Sequence, residues 1–395
     1  MTEKCLELIE KLSAIPTTTM REEGVLRFVE AYARRDLEGV RSTRDQSGNL
    51  HLVSAGSRDP QSPITLAIAV HADHPGFWYK PFDSDGKYGI MTMKGGFNPD
   101  LMQGALLDLH TGYEPARQDA GRATIIETLQ PEKQGNDPRY VARLEKPRVL
   151  PATTFATLHF DQKYYEDGGL VRGVALDDQA GIAVALEALG LIIQDRPNID
   201  FRVVVHRGEE SGFIGAHNAI AHWAVPRDAL VYSLETSSHR GKRAVDAPLE
   251  QIVEVGDGVV VRTGDRISPA YDPAAITLAT RAAQMIMKDG LPVQEQRLYA
   301  GSCEASAYFA HGYRAGGIAL PLIAWHNNRE DEGTRELMLE GVHRRDLDSA
   351  VSLIVEMAHL LHKDPTFFQR MTRHDITPEQ HKMAANVAEI AGRYK

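Results

Sequence analysis

Two hydrophobic rhythms alternate along the chain. ITLAIAV (64–70), FRVVVH (201–206), DALVYSLE (228–235) and GGIALPLIAWH (316–326) are short, apolar and rich in β-branched residues, the texture of strands buried on both faces. Between them, apolar residues return at helical spacing in the first fifteen residues, in REEGVLRFVEAYARRD (21–36), DPAAITLATRAAQMIMKDG (272–290) and RRDLDSAVSLIVEMAHLLHKD (344–364). SGFIGAHNAIAHW and CEASAYFAHG read as two shorter helices, and LVRGVAL (170–176) as a strand entering an Asp-rich helix start. This alternation predicts an α/β domain.

The rhythm breaks between residues 75 and 172. Glycines, prolines and aromatics punctuate short alternating segments such as KYGIMTMKGG, ALLDLHTG, ATIIETLQP and YVARLEKP, with no helical period. That texture predicts a small β-barrel (75–172) inserted into one α/β domain made of residues 1–74 and 173–395. The final stretch, PTFFQR onward (365–395), reads as appended helix.

Charge and composition narrow the class of function. The net charge of -10 argues against nucleic acid, whose phosphates are bound through basic surface. The first residues, MTEKCLELIEKLSAI, interrupt their apolar positions with charge, unlike a signal peptide, and no run approaches the roughly 20 apolar residues of a membrane span. Two distant cysteines, Cys5 and Cys303, offer no disulfide framework and fit a reducing cytoplasm.

The candidate chemistry lies where the expected strands end. ITLAIAV runs to His71 and Asp73, LVRGVAL to Asp177 and Asp178, FRVVVH to Glu209 and Glu210, LVYSL to Glu235, and GGIALPLIAW to His326. Ligands of open α/β sheets bind at that edge. Singly, each acid reads as a turn residue or helix cap, and Asp178 fits a cap well. Together they make an acidic pocket that requires a cation, and histidine with carboxylate but no cysteine suits zinc, cobalt or manganese. His206 is expected to pack inside its strand. There is no HExxH and no phosphate loop, and GSCEAS (301–306) is not a nucleophile elbow.

HADHPGF, ALDDQAG, GEESGFIGAH, YSLE, GDGVVVRTGDR, GSCEASAYFAHG and the final WH resemble the co-catalytic metallo-aminopeptidases related to glutamyl aminopeptidase and the tetrahedral aminopeptidases. The resemblance runs from EKLSAIP and DQSGN to RRDLDSAVSLIVEMA, and that family carries its insert at the same place. It implies a three-layer α/β sandwich with a mixed central sheet and two divalent ions, most simply zinc, about 3.5–4 Å apart. His71, Asp177 and Glu235 would hold one ion, and Asp177, Glu210 and His326 the other. Asp73 would orient His71 from behind, and Glu209 would be the general base. The implied substrate is a peptide cleaved after its first residue, and the implied assembly is a homo-oligomer, dimer or dodecamer. The chain departs from the family pattern at His74-Pro75, Gly208, Glu235 (more often aspartate) and GSCEAS. A deacylase or amidohydrolase of small N-acyl or amino-acid conjugates is the alternative, and a non-catalytic homologue a third reading.

Overall fold

The computed structural model describes residues 2–54, 65–112, 118–130, 137–195, 199–238, 253–299, 301–331 and 334–364; the expected C-terminal helix lies outside them. Eight strands form one mixed sheet in the order Val40–Arg44, Leu50–Ser54, Asp200–His206, Thr65–His71, Leu230–Ser238, Arg314–Leu322, Val259–Arg262 and Val293–Gln296. The four middle strands, from Asp200–His206 to Arg314–Leu322, run parallel, so their carboxyl ends share one edge. Antiparallel pairs flank them.

Strand periodicity of two decides which side chains share a face. Leu66, Ile68 and Val70, with Phe201, Val203, Val205, Leu230, Tyr232 and Leu234, enter the larger core beneath helices Thr2–Ser13, Glu23–Asp36, Leu176–Asp195, Pro273–Lys288 and Arg344–Lys363. Ala67, Ala69, Val204 and Val231 face the opposite layer, where helices Ile214–Ala221 and Glu304–Ala310 pack. Continuing that alternation puts His71, His206, Ser233 and Glu235 on this second face. The expected three-layer architecture is present.

The insert is a closed antiparallel barrel of six strands, Gly76–Pro81, Tyr88–Lys94, Arg139–Leu144, Gln118–Leu129, Leu106–Thr111 and Phe155–Leu158. Phe77, Met91, Leu107, Ile125 and Tyr140 fill its separate core. Two sequence expectations change. Leu170–Gly173 does not join the main sheet: it pairs with Tyr164–Asp167 and Glu340–His343 in a three-stranded sheet that leads the chain into Asp177. Glu235 is not a strand terminus, because its strand continues to Ser238; its pairing with Thr65–His71 stops at Ser233, so Glu235 projects beyond the end of its neighbour.

Candidate metal centre

The site forms where three parallel strands end against the helix beginning at Leu176 and the turn Trp325–Asn327. His71 Nε2 lies 3.2 Å from Asp177 Oδ1 and 3.4 Å from Glu235 Oε2. His326 Nε2 lies 2.9 Å from Glu210 Oε1 and 3.6 Å from Asp177 Oδ2. Each trio offers three ligand atoms within 4.8 Å of one another, and Asp177 serves both, one oxygen to each side. Glu209 Oε2 stands 4.0 Å from His71 Nε2. All seven sequence candidates are therefore gathered here, with Asp73 behind them.

The surrounding hydrogen bonds orient these groups. His71 Nδ1 is 3.0 Å from the Asp73 carbonyl and His326 Nδ1 is 3.1 Å from the Gly96 carbonyl, so each ring donates backward and directs Nε2 into the cluster. The Asp73 carboxylate does something other than expected. It lies 3.7 Å from His71 Nδ1 and instead accepts the backbone N–H groups of Glu209 and Glu210 at 2.9 and 3.2 Å. Asp73 thus fixes the loop bearing both glutamates. Asp178 caps its helix through Gly181 N and also accepts His71 N.

Gly208 has a local reason. Its φ of 63° is left-handed, and an added Cβ would lie 3.2 Å from Met20 Sδ and 3.3 Å from Ile214 Cβ. Its N–H donates to Glu22, whose carboxylate also takes Arg207 Nε. Burial outweighs that arginine and lifts Glu22 to about 7.

Four functional positions escaped the sequence reading. Glu340, fully buried, accepts the backbone N–H of Asp177 at 3.0 Å and of His326 at 2.8 Å, tying the two sides of the site together. His74 bonds the Asp177 carbonyl through Nδ1 and Asn327 Oδ1 through Nε2. Glu304, also buried, accepts from Ser233 Oγ at 2.6 Å and faces His206 Nδ1 at 3.2 Å, while His206 Nε2 meets the Tyr308 hydroxyl. Glutamates amid Leu339 and Val342, or between Cys303 and Ala305, were the available signal: acids embedded in buried small or apolar neighbours.

The electrostatics match a site built for cations. Burial opposes charge on His71, yet Glu235, Asp177, Asp73 and Glu209 together hold its imidazole well above the usual range. His326 behaves alike, raised by Glu210 and Asp177 against burial. Asp177, despite burial, is held well below the carboxylate range by both histidines. Burial pushes Glu209 and Glu235 upward, reinforced by neighbouring carboxylates. Glu210 Oε1 makes no hydrogen bond although His326 Nε2 is 2.9 Å away. Two ligand atoms facing a common point, without bonding each other, suit a bound ion. The nitrogen and oxygen donors fit zinc, cobalt or manganese.

The cluster floors a cavity of about 460 Å³, walled by Thr236, Ser237, Arg262, Ile267, Ser302 and Trp325. Among the described residues no helix is long and apolar enough to cross a membrane.

This architecture is the fold of the tetrahedral aminopeptidases. An aminopeptidase from the archaeon Desulfurococcus kamchatkensis superposes with TM-score 0.71 at 20% identity, covering 95% of this chain and 99% of that one. The Pyrococcus horikoshii TET1 peptidase gives 0.69 at 20% identity, covering 90% and 99%. A Thermotoga maritima protein named an endoglucanase gives 0.58 at 19% identity, covering 89% and 99%. The family model for M42 glutamyl aminopeptidase matches residues 146–337, which include Asp177, Glu209, Glu210, Glu235 and His326, and the chain is a relative of that family. That match supports peptidase activity. Comparison with curated protein sequences finds no match.

Two outcomes follow from the site's construction. Replacing Gly208 with alanine forces a side chain into left-handed backbone and is expected to cost about 1–2 kcal/mol, read from the denaturation midpoint. Divalent-ion affinity is expected to rise with pH beyond the ordinary histidine range. The raised imidazoles stay protonated to higher pH, and each must lose its proton before Nε2 ligates. Calorimetry in buffers of differing ionisation enthalpy checks this through the protons released on binding.

Proposed function

We propose that this chain is an aminopeptidase that removes the first residue of peptides at a centre holding two divalent ions, most simply zinc. The observation that carries the reading is the sharing of Asp177 between two trios with Glu209 beside them. His71, Asp177 and Glu235 would hold one ion, and Asp177, Glu210 and His326 the other. Such ions, when bound, acidify a water at neutral pH and polarise the scissile carbonyl. Glu209 faces that position, takes the proton from the attacking water and returns it to the leaving amine. Its upward shift through burial suits a group that must accept and then release a proton near neutrality. Asp73 keeps Glu209 and Glu210 in register with the two histidines through their backbone N–H groups.

Arg262 supports a preference for acidic first residues, in keeping with the family's glutamyl description. It ends strand Val259–Arg262, is 3% exposed, and lines the same cavity. Its Nη2 donates to Gly301 O, while Nε has no hydrogen-bond partner. Burial disfavours its charge, but Cys303, Tyr271, Asp265 and Glu235 hold it protonated. A buried guanidinium with a spare donor suits a substrate carboxylate. The assemblies named for the Pyrococcus horikoshii peptidase, a tetrahedron or octahedral shell, motivate a homo-oligomeric state for this chain as well.

Glu209→Gln is expected to bind divalent ions normally while losing at least about 100-fold in kcat, the scale of a positioned general base. Near-normal turnover would remove Glu209 from that role. Acetylating the substrate's α-amine is expected to abolish cleavage; equal cleavage would favour a deacylase. Arg262→Met is expected to lower kcat/KM for Glu-initiated peptides about 10- to 100-fold relative to Leu-initiated ones, the worth of a charge-assisted hydrogen bond. An unchanged ratio would place specificity elsewhere.

A further inference from the structure

Trp325 is a large aromatic left 38% exposed at the cavity wall, yet it is tied into the buried cluster. It opens the turn Trp325–Asn327 that follows strand Arg314–Leu322. Its ring lies on the His326 imidazole, with centroids 3.7 Å apart and planes 26° from parallel. Its indole Nε1–H donates to Asp177 Oδ2 at 3.0 Å. That oxygen is the one Asp177 turns toward His326 Nε2. One side chain therefore touches two of the three groups in the trio of Asp177, Glu210 and His326.

The chemistry of the contact is specific. An ionised carboxylate oxygen carries two lone pairs, so an indole N–H on one leaves the other for an ion. Asp177 has its amide held by Glu340 and its carbonyl by His74, which settles the backbone but not the rotation of the carboxylate. The indole settles that rotation, since a hydrogen bond to Oδ2 fixes where its remaining lone pair points. The ring face limits His326 in the same way, beside the backward bond from Nδ1 to Gly96.

The geometry points to Trp325 as a positioning residue for the ion held by Asp177, Glu210 and His326, its indole N–H aiming the shared carboxylate and its ring steadying His326. The inference rests on the two-ion reading above. It makes Trp325 a determinant of how tightly the second ion is retained, and places an intrinsic fluorophore beside that ion.

The test is a titration of metal-free protein with cobalt, followed by the visible absorption of the bound ion, and with zinc, followed by tryptophan emission. Wild type is expected to show two binding steps, with the emission change accompanying the weaker or stronger step assigned to His326 by its loss in His326→Ala. Trp325→Phe keeps a ring over His326 but lacks the N–H. It is expected to weaken that step about 10- to 100-fold, the usual effect of removing a group that orients a ligand, and to leave the other step near wild type. Trp325→Ala, losing the ring as well, is expected to weaken it further. Unchanged cobalt steps in a folded Trp325→Phe overturn the proposal. So does a wild-type emission change that follows only the step surviving in His326→Ala, a readout that needs no Trp325 variant to fold. A single cobalt step in wild type overturns the two-ion reading instead, and the effect of Trp325→Phe on that one step still decides the role of the indole. Absence of any step overturns both.

Discussion

Carboxylates gathered out of water repel one another, and the structure is organised around that repulsion. Asp177, Glu209, Glu235, Glu304 and Glu340 are buried around one cleft, and Glu210 adjoins them. Two unit charges 4 Å apart interact by about 4 kcal/mol at an effective dielectric near 20, so several such pairs are a large fraction of any domain's stability. Without an ion, His71, His326 and His206 are the near positive partners, which is why the first two are held protonated and Asp177 ionised. A divalent ion in each trio supplies the same compensation with higher charge and releases the imidazoles to act as ligands.

The fold meets this constraint by satisfying the outer carboxylates with backbone. Asp73 takes the amides of Glu209 and Glu210, Glu340 those of Asp177 and His326, and Asp178 those of His71 and Gly181. Each bond pins a neighbour of the cluster without adding a charge that lacks a donor. They also hold backbone in sparsely populated regions: Gly208, His326 and Asn327 have φ of 63°, 53° and 58°. The barrel takes part. Gly96, just beyond its strand Tyr88–Lys94, gives its carbonyl to His326, and a Cβ there would sit 3.0 Å from the ring. The insert is thus a wall of the site rather than an independent appendage.

This division explains what the sequence disclosed. Residues that end apolar runs were legible because period-two burial makes a polar residue at the end of such a run stand out; His71 and Glu209-Glu210 are the plainest cases. The barrel was legible from the loss of helical period. Glu340 and His74 were not, because they act on backbone groups brought close only by folding, across 163 and 103 residues. The placement of Asp177 misled for a related reason. LVRG has strand texture wherever it pairs, and nothing local distinguishes the main sheet from the three-stranded sheet it joins. His206 does pack as expected, but its partner Glu304 makes that packing electrostatic.

Fold and chemistry separate at this point. Proteins named aminopeptidase and endoglucanase share this architecture, so the sheet and helices do not choose the bond that is broken. The choice sits in side chains at one edge. Paired carboxylates alone would serve a glycosidic bond as well. What argues otherwise is that two imidazoles are interleaved with the acids, each with Nδ1 bound to a backbone carbonyl and Nε2 facing carboxylate oxygens. Such rings are arranged to lose a proton and ligate an ion, a requirement of amide hydrolysis by activated water and not of acid catalysis on a sugar. Arg262 then adds a second, independent selection, since a buried cation beside an acidic centre favours a substrate that carries both a free amine and a carboxylate.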